Sequence, residues 1–151
     1  MRLRHLAFLL ASSVALFADG QQIVRVWTNY RDAAYFDRIG EYFGAPEHHS
    51  GRMVLRSQPE HRAGFYFLVR ITEPKAVPAG SRWVLDVILP DHKHAKTFTY
   101  ALPQGQTEPV ALLGLTGPDW PGPKIHPLAW RVQLVGPDGR VLLSKSSFLW
   151  E

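Results

Sequence analysis

Apolar and polar positions alternate most regularly near the end of the chain. Leu128, Trp130, Val132 and Leu134 are interleaved with Ala129, Arg131 and Gln133, the period of two expected of a strand with one buried face. Gly136-Pro137-Asp138-Gly139 follows, and then RVLLSKSSFLW from Arg140 to Trp150. Pro137 presets φ for the first central position of a type I turn, Asp138 suits the second, and Gly139 takes the left-handed conformation that closes the loop. The stretch is therefore a β-hairpin with Gly136 paired to Arg140. That register sets Leu134 opposite Leu142, Val132 opposite Ser144, Arg131 opposite Lys145 and Trp130 opposite Ser146. A large indole facing a small hydroxymethyl group makes Trp130 the expected core anchor.

Shorter runs of the same kind precede it. They cover 23–27 (IVRVW), 52–57 (RMVLRS), 64–71 (GFYFLVRI), 82–89 (RWVLDVIL), 96–102 (KTFTYAL) and 108–115 (EPVALLGL), with Pro- and Gly-rich breaks between most of them. In 82–89, Trp83, Leu85, Val87 and Leu89 share one face and Asp86 lies on the other. In 64–71, Phe65, Phe67, Val69 and Ile71 share a face, but Tyr66 and Leu68 make the opposite face apolar too, so it needs a cover. A helix over 33–43 is available, capped by Asp32 and ended by Gly44 and Pro46. Phe36, Ile39 and Phe43, widened by Tyr35 and Tyr42, form its apolar stripe.

Regular short strands separated by turn signals predict a mainly β fold. The seven strands from Arg52 onward resemble an immunoglobulin-like or fibronectin-III-like antiparallel β-sandwich. The resemblance rests on strand number and the late hairpin, and implies fold only. With the N-terminal strand the total is about seven or eight. The expected organisation is a signal peptide at 1–18, an N-terminal strand and short helix packed on the sandwich at 19–51, and the sandwich at 52–151. In such an arrangement strand 82–89 neighbours strand 128–135, and Asp86 meets Arg131 as an exposed pair.

The chain of 151 residues is 46% apolar and 20% charged, which suits a globular domain with a core of its own. Arg2 and Arg4, the apolar run from Leu6 to Phe17, and the small residues Ala15 and Ala18 resemble a secretory signal peptide. The run is shorter than the ~20 apolar residues of a membrane span. A secreted or periplasmic protein without a stable membrane anchor after cleavage is expected. There is no Cys, which excludes disulfides, thiolate metal sites, a Cys nucleophile and a lipid-modified Cys. Removal of Arg2 and Arg4 takes the basic residues from 17 to 15 against 13 acids. With no run of Lys and Arg interleaved with aromatics, no nucleic-acid partner is expected.

No GxSxG, HExxH, phosphate-binding Gly-rich loop or calcium-loop pattern occurs, so the chain reads as non-catalytic and without a cofactor. In a simple sandwich, loops alternate between two poles. The loops 58–63, 90–95 and 116–127 then gather His61, Asp91, His92, His94, Asp119, Trp120 and His126 at one pole, the candidate binding site. The loops 72–81, 103–107 and 136–140 form the other pole. Trp120, in GPDWPGPK, is either a ligand platform or, as expected of so apolar a side chain, a plug over the core. Trp120 and Trp27 are the aromatics a carbohydrate-binding reading would use. His92, His94 and His126 would be the ligands of a metal-binding reading; His48 and His49 are a further adjacent pair. The leading expectation is an exported binding module whose partner is a protein or glycan of the cell envelope.

Overall fold

In the computed structural model, which describes residues 21–37, 48–49 and 51–150, the period-two runs become the strands of two open sheets. In chain order the elements are β1 (Ile23–Arg31), α1 (Ala33–Asp37), β2 (His48–His49), β3 (Arg52–Arg56), β4 (Gly64–Ile71), β5 (Ser81–Ile88), β6 (Lys96–Leu102), β7 (Val110–Thr116), β8 (Ala129–Val135) and β9 (Val141–Ser146). The first sheet has the order β1-β4-β7-β3-β2 and the second β6-β5-β8-β9. The expected 1–18 leader and residues 38–43 of the expected helix lie outside the described residues.

The inward faces of both sheets meet in one apolar core. Phe65, Phe67, Val69, Ala111, Leu113 and Leu115 of the first sheet pack with Trp83, Leu85, Val87, Tyr100, Val132 and Leu134 of the second. These are the faces that alternation assigned to 64–71 and 82–89. Two polar contacts lock the layers in place. The Tyr100 hydroxyl crosses the core and donates to the Gly114 carbonyl at 2.9 Å. The Trp83 indole N–H donates to Gln106 Oε1 at 2.9 Å, and Gln106 Nε2 in turn donates to the Glu108 carbonyl at 2.8 Å. A buried indole needs such an acceptor. Burial pushes the Tyr100 phenol far above its ordinary value, with the charges of Asp119 and Tyr66 adding to the effect.

Three expectations require correction. First, the sheets are not wholly antiparallel, because β3 runs parallel to β7. β1, read as a five-residue strand outside the main repeat, is a nine-residue edge strand hydrogen-bonded to β4. Second, the hairpin keeps its turn but shifts its register. Gly136 N–H donates to Arg140 O at 2.8 Å, and Gly139 takes φ 85° as expected. Val135 pairs with Val141 but Leu134 pairs with Leu143, so one extra residue bulges at Leu142. Arg131 then faces Ser146, Val132 faces Lys145, and Ser147 rather than Ser146 bonds Trp130. The bulge lets both Leu142 and Leu143 pack against the core. Third, the anchoring indole is the fully buried Trp83; Trp130 is half-buried at the core edge, edge-on to Phe67.

The expected neighbours 82–89 and 128–135 are paired in the second sheet, with Asp86 opposite Arg131. The pair is not exposed at its acidic end, however. Asp86 is only 6% exposed. It accepts from Arg131 Nε at 3.1 Å, from Arg131 Nη2 at 2.8 Å, and from Thr97 Oγ1 at 2.6 Å. Trp150 follows the last strand and lies beneath the Arg131 guanidinium, 5.0 Å from ring centroid to Cζ. Three hydrogen bonds from two donor side chains thus satisfy the buried Asp86 carboxyl group.

Candidate functional site

The loops 58–63 and 116–127 meet at one pole, as alternation predicts. Gly64 pairs with Thr116, Gly117 N–H donates to Ala63 O, and Gln58 Nε2 donates to Asp119 Oδ2 at 3.1 Å. The 90–95 turn leaves β5 at the same end of the second sheet at which the 116–127 loop enters β8, where Leu128 N–H donates to Ile88 O at 2.8 Å. The side chains gathered there do not converge. Trp120 is 6% exposed, stacks on Phe65 with centroids 4.5 Å apart, and donates its indole N–H to Gly122 O. It is a plug and offers a ligand no face. His126 lies edge-on to Phe65, 6.0 Å between centroids, and His61 packs over Gly117. His92 bonds the carbonyl of Pro90 in its own turn, and His94 is exposed. Asp91 is exposed with φ 64°, the only non-glycine residue with a positive φ among the described residues.

Among the described residues no group of three or more His, Asp or Glu side chains stands close enough to hold a metal ion. His92, His94 and His126 are thus not brought together. His48 and His49 form β2, turned back onto β3 through Gly51 at φ 78°. No helix among the described residues is long and apolar enough to cross a membrane.

The outward face of the first sheet is chemically more distinctive. Its apolar centre is covered by α1, as the apolar outer side of 64–71 requires: Phe36 is fully buried against Tyr66 and Leu112, with Tyr35, Val54 and Leu68 around them. Asp32 caps this single turn, accepting the Tyr35 N–H at 2.9 Å on Oδ1. The rings of Tyr35, Phe36 and Tyr66 meet at centroid distances of 5.0 and 4.9 Å. Gly114 makes this closeness possible, because a methyl group there would stand 2.5 Å from Tyr66 Cε1.

Arginines surround these rings. The Arg31 guanidinium lies over Tyr35 at 4.4 Å and that of Arg56 over Phe36 at 4.7 Å. Arg52 Nη1 donates to the Tyr35 hydroxyl at 3.1 Å, and Arg56 Nε to the Tyr66 hydroxyl at 2.7 Å. At the edge, Arg25 lies over Trp27 at 4.8 Å and stands opposite Arg70 in the pairing of β1 with β4. The stacks of Arg25 and Arg31 hold each guanidinium against a ring without using its N–H groups. No carboxylate of a described residue forms an ion pair with Arg25, Arg31, Arg52 or Arg70. Trp27 is 39% exposed. An open cleft of about 540 Å³ lies alongside, lined by Tyr30, Arg31, Asp32, Tyr35 and Pro123. A much smaller slot, lined by Trp27, Thr28, Asn29 and Leu68 among others, shares Arg31 and Tyr35 with it.

The chain has no match among known protein families, curated proteins or solved structures. The site therefore rests on its own chemistry. Sequence reasoning read this face as a packing face under the helix and, apart from Trp27, not as a site, although a signal was present. Arg25, Trp27, Asn29 and Arg31 recur at every second position, but a strand read only as far as Trp27 stops before that pattern is complete.

Proposed function

We propose that this chain is an exported, non-catalytic binding module of immunoglobulin-like or fibronectin-III-like type, which engages another envelope or extracellular component. The order β1-β4-β7 facing β6-β5-β8-β9 supports the fold assignment. The basic start and apolar run from Leu6 to Phe17 support export. The observation that carries the binding reading is the outer face of the first sheet, where the guanidinium groups of Arg25 and Arg31, stacked on Trp27 and Tyr35, give a positive surface. Desolvated aromatic rings and Arg forks are the groups from which binding surfaces draw most of their energy. Trp120 is stacked on Phe65 and 6% exposed, so the exposed indole that supports the reading is Trp27.

The test is comparative. Immobilised wild-type protein and an Arg25→Glu/Arg31→Glu variant are exposed to an envelope and culture-fluid fraction of the native host. A component retained by wild type and released by the variant supports the reading. Equal retention by both, or loss only on replacing His61, His92 and His126, overturns it. N-terminal sequencing of the native protein checks export. A start near Asp19 or Leu16 is expected, and an intact Met1 in a cytosolic fraction refutes it.

A further inference from the structure

We infer that the outer face of β1 and the adjoining Arg31–Tyr35 cleft form a binding site for an acidic glycan, a polysaccharide carrying carboxylate or sulfate groups. The inference rests on the binding reading above and names its ligand. β1 presents Arg25, Trp27, Asn29 and Arg31 in succession, a line of ~20 Å at the rise of an extended strand. The four positions match the parts of an acidic sugar chain. Trp27 offers an exposed ring for an apolar sugar face, Asn29 can bond hydroxyls with its amide, and the two guanidinium groups supply planar forks for anionic substituents. Arg70 stands across from Arg25 and adds to the positive charge at that end.

The cleft at the other end distinguishes this ligand from other anions. It is open and lined by two phenols, a guanidinium, a carboxylate and a proline, so it suits a hydrated polar unit better than the apolar anchor of a protein partner. Its one carboxylate, Asp32, is engaged by the Tyr35 N–H at the helix cap, and no ion pair with Arg31 forms. A single-stranded nucleic acid calls for a row of free stacking platforms. Here the rings of Tyr35, Phe36 and Tyr66 are taken up by one another and by arginines, and Trp27, the 39% exposed indole of the strand, carries Arg25 over its ring, so no row of free platforms forms.

Affinity electrophoresis and calorimetry of the purified full chain test the inference with polygalacturonate, dextran sulfate, neutral dextran, an oligothymidylate and vesicles containing anionic lipid. Retardation by at least one of the two acidic glycans and none by neutral dextran is expected, decreasing with added NaCl. Trp27→Ala and Arg31→Ala should each weaken binding about tenfold, the scale of one lost ring contact or charge-assisted hydrogen bond. Both positions are partly exposed, so the thermal midpoint should hardly move, which separates lost binding from lost folding. Binding to the oligonucleotide or vesicles as tight as to the acidic glycans overturns the inference, as does glycan binding undiminished in both variants. If neither acidic glycan binds but a protein is retained by wild type and released by Arg25→Glu/Arg31→Glu, the glycan is wrong and the contact face stands. If neither experiment detects binding, both readings fail.

Discussion

Adding one methyl group at Gly114 should cost more than its size suggests. Gly114 faces outward from β7, and its carbonyl is held from two sides, by the Tyr100 hydroxyl at 2.9 Å and by Ser57 N–H at 2.9 Å. The backbone therefore cannot yield easily. In Gly114→Ala the new methyl would lie 2.5 Å from Tyr66 Cε1 and 2.9 Å from Cζ. The ring must retreat by roughly 1 Å to regain ordinary contact. It is held where it is: its hydroxyl donates to the Arg62 carbonyl at 2.5 Å and accepts from Arg56 Nε at 2.7 Å, with Phe36 against its face. Overpacking costs about 1–3 kcal/mol, and weakening two hydrogen bonds adds about 1 kcal/mol each at full loss. With the two bonds about half lost, the sum of about 2–4 kcal/mol corresponds to a fall in Tm on the order of 10 °C for a domain of this size. Urea unfolding followed by Trp fluorescence measures it, with the m-value unchanged. Tyr66→Leu removes the obstructing ring, so in Gly114→Ala/Tyr66→Leu the two costs should fall short of additivity by about 1–2 kcal/mol. A single-variant cost below about 0.5 kcal/mol, or strict additivity in the double variant, would falsify the reasoning.

Three further outcomes are expected. Trp83→Phe should destabilise by about 2–4 kcal/mol, partly because Gln106 Oε1 loses its buried donor, and Trp83→Phe/Gln106→Leu should recover about 1 kcal/mol of that in the same unfolding assay. Arg131→Ala should cost about 2–3 kcal/mol, because it strips two hydrogen bonds from a carboxylate whose side chain is 8% exposed, and Asp86→Ala less, because the guanidinium left behind is 38% exposed; a double-mutant cycle should give a coupling of about 1–2 kcal/mol, and near-zero coupling would mean the pair is idle. Tyr100 keeps its proton in the fold, because burial raises its pKa above the unfolded value near 10. Its stabilising contribution is complete below about pH 10 and is lost as the pH climbs above that value, so alkaline unfolding should be flatter in Tyr100→Phe, and the Tyr100 phenolate absorbance should appear only as the protein unfolds.

Much of the fold could be read along the chain because the determining physics is local. A period of two decides which face of β4, β5 and β8 is buried, and the turn chemistry of Pro137, Asp138 and Gly139 fixes where the hairpin folds back. The apolar outer side of 64–71 announced a cover, and Phe36 supplies it against Tyr66. Where several adjacent residues are apolar, alternation no longer specifies a face. Val141, Leu142 and Leu143 leave the register to be decided by what the core can accept, and a bulge at Leu142 resolves it. The same holds for the indoles. Trp83, Trp120 and Trp130 are chemically equal in the sequence, and their burial depends on Gln106, Phe65 and Phe67, residues distant along the chain or on another element.

The loop pole was legible as a grouping of backbone segments, because alternation of strand direction suffices for that. It was not legible as a site, because whether His61, His92 and His126 converge depends on rotamers and on which surface each ring covers. The arginine–aromatic face belongs to tertiary structure in a stronger sense. Its members come from β1, α1, β3 and β4, and they meet only because β4 lies beside β1 and a parallel β3 closes the other side of β7. A short-range pattern can say that Arg25, Trp27 and Arg31 share one side of a strand. Only the pairing of strands far apart in sequence, driven by burial of the common core, decides that Arg52, Arg56 and Arg70 share the same sheet face.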